Sequence, residues 1–186
     1  MRPGDTYFRK DGRADAVERF AQPAETPPLK ESIISGMKAG LIGGAAMALL
    51  LARSYGVQSG SPLLPVRVGV FGLTGSSLLA ESALGAALGI FLQLIYAVVA
   101  GALFGVIVAK LVGKMWVFTA AAVGGTYGLL VWIVGQYVVI AYVAPNVMML
   151  YDQVALAQAH LVYGLCLGLF GSAYCSIRRD LSRRGH

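Results

Sequence analysis

The chain has 186 residues, of which 57% are hydrophobic and 13% are charged, and its formal net charge is +6. A soluble domain usually has about 25% charged residues, whereas here twelve of the 24 charges precede residue 32 and five follow residue 177. The aliphatic, almost uncharged middle of the chain excludes a disordered protein and predicts a membrane protein.

Residues 1–32 form a charged segment that we predict to be a cytoplasmic tail. Before residue 32 it has six basic and six acidic side chains and no apolar run of the kind that a secretory signal peptide needs. Because these charges cancel, the tail is a poor ligand for nucleic acid, which is not predicted as a partner. We expect the tail to be extended or to contact the cytoplasmic or peripheral surface of a partner protein.

Four apolar stretches are long enough to cross a bilayer, which predicts an all-α integral membrane protein. Each reaches the roughly 20 residues that a helix needs to span the hydrocarbon, and the last three contain no Asp, Glu, Lys or Arg. The predicted spans are 33–52, 83–109, 115–143 and 154–177. We expect them to form a four-helix transmembrane bundle over 33–177, packed as two hairpins.

Residues 53–82 are predicted to form an outer-face loop with an interfacial or re-entrant element, because a fifth span there would place Arg67 in the lipid. With four spans, the turn at 110–114 and the basic tail 178–186 lie on one side. The loop around Pro145, which has no Lys or Arg, lies on the other. The positive-inside rule then predicts that both termini are cytoplasmic. We expect the membrane to be the inner membrane of a bacterium.

The boundary between the third and fourth spans contains Pro145 and Asn146. Proline stops the third helix, and asparagine is a favourable N-cap for the fourth. Asp152 and Glu81 are interpreted as solvated groups at the outer boundary of the membrane.

A short internal repeat relates the first span to the third and the second span to the fourth. The sequence "GLIGGA" at 40–45 matches "AAVGGT" at 121–126, and "LFG" at 103–105 matches "LFG" at 169–171. This pattern indicates two helical hairpins in a parallel relation.

Glycines recur at spacings of three and four in all four spans. Glycine at this spacing lowers one face of a helix and lets a neighbouring backbone approach closely, which is a main source of cohesion in lipid. We therefore predict tight packing between the spans and surplus faces for a partner. The predicted packing positions are Gly36, Gly40, Gly44, Gly85, Gly89, Gly101, Gly105, Gly125, Gly128, Gly164, Gly168 and Gly171.

Three uncharged polar side chains, Gln93, Gln136 and His160, each lie on a face rich in small residues. We expect them to be buried in the bundle and to hydrogen-bond across helices, worth about 0.6 kcal/mol and at most about 2. His160 shares its helix face with Tyr163, so a contact of these two with a quinone or a lipid is the competing interpretation.

No other chemistry is predicted. Ligation of haem by two histidines needs a second histidine at membrane depth, and the only other one is His186. Cys166 and Cys175 lie about 13 Å apart along one helix, too far for a disulfide. Neither a metal-binding spacing nor the motif of a catalytic nucleophile occurs. The sequence therefore predicts no catalytic residue, no metal and no cofactor.

The pattern of "GLIGG" in the first span and "AHLVYGLCLG" in the last resembles the small, uncharacterised YagU-like inner-membrane proteins of bacteria. The resemblance covers the four spans but neither the charged tail nor residues 53–82. It implies a four-span architecture and carries no activity with it.

These features favour a non-catalytic integral subunit that packs against other integral membrane subunits and stabilises a larger complex, such as a respiratory or photosynthetic electron-transfer complex. The alternative is a transporter or channel for a small neutral solute, lined by Gln93, Gln136 and His160. An enzyme with a membrane-buried active site is the third interpretation, and it lacks a nucleophile–base pair.

Overall fold

A computed structural model describes residues 28–111 and 117–184, with side chains for 28–109 and 117–170. Within these ranges the regular structure is entirely helical and no strand occurs. Four helices are long and apolar enough to cross a membrane: Leu29–Ser59, Ala83–Ala109, Val117–Val143 and Gln153–Phe170. The predictions of an all-α fold and of a multi-pass membrane protein are confirmed at this level. The calls for most of the N-terminal tail and for the turn at 110–114 fall largely outside the described residues.

Six α-helices organise the described chain. They are α1 (Leu29–Ser59), α2 (Leu64–Thr74), α3 (Ser77–Glu81), α4 (Ala83–Leu111), α5 (Val117–Val134) and α6 (Gln153–Arg184). After α5 the third span continues as a π-helical segment, Gly135–Ile140, and one α-helical turn, Ala141–Val143. A 3-10 helix, Pro145–Leu150, leads to α6.

Helix α1 runs beyond the predicted end of the first span, from residue 52 to Ser59. Arg53 ends the apolar stretch, but 53–59 contain no proline and only one glycine, Gly56, which lowers helix propensity without breaking the helix. The helix ends only at Gly60, whose φ of 71° is left-handed and whose N–H donates to the Gly56 carbonyl at 3.1 Å. Residues 53–82 are therefore mostly helical.

The N-cap of α6 is Asp152, and the expectation that Asn146 fills this role is wrong. The Asp152 Oδ1 accepts hydrogen bonds from the N–H groups of Val154 at 2.9 Å and Ala155 at 3.1 Å. Asn146 instead lies, exposed, in the 3-10 helix that separates the third span from α6.

The four long helices associate unequally. Helix α1 packs along both α4 and α6, and α5 packs along α6, whereas the backbones of α4 and α5 come close at few positions. The buried core accordingly lies on α1, α4 and α6. Helix α2 crosses one end of the bundle, where Val66 meets Gly89 of α4 and Gly72 meets Val147 of the 3-10 helix.

Helices α1 and α4 are here called the first pair, and helices α5 and α6 the second pair. The contacts within the two pairs repeat one another. Gly36 and Gly40 lie against the backbone of Gly101, and Gly40 also faces the Ala97 carbonyl. In the second pair, Gly124 and Gly128 lie in the same way against the backbone of Gly164, and Gly128 also faces the carbonyl of His160.

Each residue of α1 corresponds to the residue of α5 that lies 88 positions later, as Gly40 does to Gly128. Each residue of α4 corresponds to the residue of α6 that lies 63 positions later, as Gly101 does to Gly164. This correspondence replaces the predicted alignment, in which the "LFG" at 103–105 matched the "LFG" at 169–171. The contact depends on small residues at every fourth position, and identical letters in a different register do not reproduce it.

Candidate functional site

His160 of α6 is buried, and both of its ring nitrogens are engaged. Nδ1 lies 2.9 Å from the Leu156 carbonyl oxygen, and Nε2 lies 3.4 Å from the Tyr96 hydroxyl of α4. A carbonyl only accepts, so Nδ1 carries the proton and Nε2 accepts from the Tyr96 O–H in the tautomer that satisfies both contacts. The Tyr96 ring meets the imidazole edge-on, with the ring centroids 6.2 Å apart.

Two tyrosines of the second pair donate to the backbone of α4. The Tyr163 hydroxyl lies 2.6 Å from the Ala97 carbonyl oxygen, and the Tyr127 hydroxyl lies 2.7 Å from that of Ala100. The small side chains of Ala97 and Ala100 leave these carbonyls within reach. Because Tyr163 is 0% exposed and its only proton is donated to α4, its hydroxyl has no proton left for the quinone or lipid considered above.

Of the three predicted polar side chains, Gln93 and His160 contact another helix as expected, but no two of the three hydrogen-bond to each other. Gln136 and His160 are buried as predicted, whereas Gln93 is only half-buried. Gln93 donates from Nε2 to the Met47 Sδ of α1 at 3.5 Å, and His160 contacts Tyr96. Gln136 is 3% exposed, and its Nε2 has no hydrogen-bond partner within the described part of the chain. They lie on three different helices, so each has a different set of neighbours.

Most of the predicted glycines face a neighbouring helix of the same chain. Gly36, Gly40, Gly44, Gly101 and Gly105 lie in the first pair, and Gly125, Gly128, Gly164 and Gly168 lie in the second pair. Gly85 and Gly89 instead contact α3 and α2. Gly171 falls in the part of α6 whose side-chain surroundings are not described. These glycines are thus used for contacts within the chain, and the expectation of further faces for a partner stays a prediction.

Sequence reasoning missed two glycines that contribute to this packing. Gly124 faces the Gly164 carbonyl, and a Cβ added at Gly43 would lie 3.0 Å from the Tyr163 ring. Gly124 was detectable from the sequence, because it lies four residues before Gly128. The role of Gly43 was not, because it depends on the position at which α1 packs against α6.

The π segment and its aromatic neighbours were also missed. The Trp132 ring lies edge-on to the Tyr137 ring, with centroids 5.8 Å apart. Its Nε1 is buried and has no partner among the residues that the structure describes. Insertions of this kind in an α-helix are frequent at functional sites, and no residue pattern in "GQYVVI" signals one.

At the end of the bundle where α1 ends and α6 begins, Asp152 joins these two helices. Its Oδ2 accepts from the Gln58 Nε2 at 3.1 Å, and its N–H donates to the Tyr55 hydroxyl at 2.7 Å. The hydrogen bond from the Ala155 N–H and then that from Gln58 lower the pKa of the Asp152 carboxyl. Asp152 is therefore a structural cap, and its carboxylate is also partly solvated at the boundary of the last span, as we interpreted it.

Tyr151 links the same end to α2. Its hydroxyl lies 3.4 Å from the Pro65 carbonyl oxygen, and burial raises its pKa to about 12. The hydroxyl therefore stays protonated and able to donate at any physiological pH.

Among the side chains described in 28–109 and 117–170, no group of three or more His, Cys, Asp or Glu residues is placed to hold a metal ion. The chain matches no protein-family model, no curated protein and no solved structure. The resemblance to YagU-like proteins stays a prediction.

Proposed function

We propose that the protein is a non-catalytic integral subunit that packs against and stabilises a larger membrane complex. The observation that carries the proposal is the way the two pairs are joined. Tyr127 and Tyr163 fill the space beside α4 and donate both of their hydroxyl protons to its backbone. These two hydroxyl groups are committed to cohesion between helices.

The same contacts disfavour a path for a small neutral solute. Such a path needs a continuous row of polar groups, but Gln93 faces α1, and His160 faces Tyr96. Beyond both of them along α4 and α6 lie Ala97 and Tyr163, which are both 0% exposed. A solute would have to break the hydrogen bond between these two residues in order to pass.

Helix α5 supports the presence of a partner. Its extensive packing is only against α6. In the most apolar part of its span 22% of the residues are buried, against 44% in the span of α6. Its outer side holds the small exposed residues Thr119, Ala122 and Thr126 among larger apolar ones. This side is open to the bilayer or to a neighbouring subunit.

The membrane topology belongs to the same proposal. Four spans place both termini on one side, and the basic segments at 110–114 and 178–186 assign that side to the cytoplasm of a bacterial inner membrane. The two pairs are then two hairpins related by an axis along the membrane normal. The host is a complex of the electron-transfer type, and the charged tail lies along its cytoplasmic surface.

Extraction of the full chain from its native membrane in a mild detergent tests the proposal. We expect it to migrate with at least one other integral subunit, well above its own mass of 19.5 kDa. Migration of the chain alone at that mass would contradict the assembly role.

Variants locate the interface. Ala122→Phe on the open side of α5 is expected to reduce co-purification, while Ala45→Phe, at an equally exposed position of α1, serves as the matched control. Deletion of residues 2–27 is expected to weaken assembly as well. Solute flux in proteoliposomes that survives this deletion and is abolished by His160→Ala would instead establish the transporter.

A further inference from the structure

Arg67 is the one charged residue of α2, and its guanidinium group has no partner in the described structure. The side chain is half-buried, and its Nε is enclosed by protein without a hydrogen bond. Its two terminal nitrogens are not enclosed, and they contact no acceptor within 28–109 and 117–170. Since arginine is always charged in proteins, this group needs a counter-charge or full hydration.

The acidic side chains described near α2 do not supply that charge. Asp152 accepts from two N–H groups of α6 and from Gln58. Glu81 is exposed at the end of α3. Neither carboxylate hydrogen-bonds to Arg67. A counter-charge for Arg67 must therefore come from outside the described part of the chain.

The depth of α2 in the membrane follows from the register of α1 and α4. The midpoints of the spans formed by these two helices are Gly44 and Tyr96. Gly44 lies directly against Ala97, so the two midpoints are level and mark the middle of the membrane. Gly89 precedes Tyr96 by seven residues, which is about 10.5 Å along the helix, and a tilt of α4 only shortens this distance from the midplane.

Val66 of α2 packs directly against Gly89. It thus lies within the roughly 15 Å that the hydrocarbon extends on each side of its middle. The backbone of Arg67, the next residue, is therefore at the edge of the hydrocarbon and not in bulk water. A charge at this depth is costly unless it is paired, and a long basic side chain can extend from there to the headgroups.

We propose that Arg67 binds the phosphate group of an anionic phospholipid, in the leaflet at the end of the bundle where α1 ends and α6 begins. The headgroup layer lies just beyond the hydrocarbon, where the extended side chain ends. A guanidinium group presents N–H donors in one plane, which match two phosphate oxygens. Because Nε is enclosed, the phosphate binds end-on to the two terminal nitrogens. The inference goes beyond the proposed function, since it needs no partner subunit.

A fluorescent label on α2 detects the lipid beside Arg67. The Arg67 N–H donates to the Leu63 carbonyl at 3.1 Å, so Leu63, which is 37% exposed, lies one helical turn away on the same side. The label is attached to the full chain through Leu63→Cys, with Cys166→Ser and Cys175→Ser removing the other two thiols. The protein is reconstituted into bilayers of digalactosyl diacylglycerol, a lipid without phosphate, and lipids with brominated chains serve as quenchers.

We expect brominated phosphatidylglycerol to quench the label at about a tenfold lower mole fraction than brominated digalactosyl diacylglycerol, because a hydrogen bond to a charged group is worth at least that factor. Arg67→Gln is expected to remove this preference. Arg53→Gln, at an exposed position near the same end of α1, is the matched control and should retain it.

Equal quenching by the two lipids in the labelled protein would overturn the proposal, and this comparison leaves Arg67 unchanged. An equal loss of the preference in Arg53→Gln and Arg67→Gln would also overturn it, because the lipid would then respond to the general charge of this surface. Displacement of phosphatidylglycerol by inorganic phosphate would assign the site to a soluble anion and contradict a lipid ligand.

Discussion

Substitution of Gly40 by alanine is the sharpest test of how the helices are held together. An added Cβ would collide with the Ala97 carbonyl oxygen and lie 3.0 Å from the Gly101 Cα, so only backbone could move to relieve it. Overpacking of this kind costs about 1–3 kcal/mol, and the higher helix propensity of alanine offsets up to about 1 kcal/mol. We expect Gly40→Ala to lower the free energy of unfolding by about 1–2 kcal/mol.

Gly56→Ala, in the same helix, is the control for propensity. Its Cβ would lie 3.7 Å from Pro62 Cβ, an ordinary contact, so this variant should be neutral or stabilised by up to about 1 kcal/mol. Both are measured by titration from mild detergent into sodium dodecyl sulfate, followed by circular dichroism. Gly128→Ala, whose Cβ would meet the His160 carbonyl and the Gly164 Cα, should match Gly40→Ala. If Gly40→Ala were as stable as Gly56→Ala, close backbone contact would not be what joins α1 to α4.

Three further predictions follow from individual hydrogen bonds. Tyr163→Phe removes the donor to the Ala97 carbonyl and should lower the free energy of unfolding in the same titration by about 0.6–1.7 kcal/mol. Tyr137→Phe, at an exposed ring, should have no effect, and equal effects of the two substitutions would contradict the role of Tyr163. Asp152→Ala should destabilise α6 by about 1 kcal/mol while Asp152→Asn largely retains the cap, and an equal loss in both would show that the carboxylate charge matters more than the capping bonds. The pKa of the Asp152 carboxyl is lowered in the folded state. Its contribution to the free energy of unfolding is therefore present above the ordinary pKa of 3.8 and is lost as the pH falls through the folded-state pKa. The loss of stability at acidic pH should be smaller in Asp152→Asn than in the parent protein.

The long helices could be predicted because length and apolar composition alone decide which segments cross a membrane. The end of α1 could not be placed from hydropathy, since a helix continues past the lipid until a residue such as Gly60 stops it. Asp152 was predictable, because an aspartate directly before a helix is a standard N-cap. The choice of Asn146 failed because the sequence gives no sign that a 3-10 helix intervenes.

The partners of the polar side chains were beyond the sequence for a different reason. Helical spacing places His160 on the buried face of α6 and Gln93 on a half-buried face of α4, but it does not fix the height at which two helices meet. That height is set by contacts such as Gly40 with Ala97, and it brings Tyr96 rather than a glutamine to the imidazole. The orphaned amide of Gln136 likewise follows from the π segment, which changes the direction of the residues after Gly135.

The hydrogen bonds from Tyr127 of α5 and Tyr163 of α6 to the backbone of α4 limit the changes in length that the chain can tolerate. A slip of α6 by one residue relative to α4 would turn Tyr163 through about 100° and carry its oxygen off the Ala97 carbonyl. Adding or deleting a residue within either helix should therefore be disruptive, while the same change at the exposed Met149 and Leu150 of the connection can be absorbed. Length polymorphism among natural variants of this chain should concentrate there and spare the helices on either side.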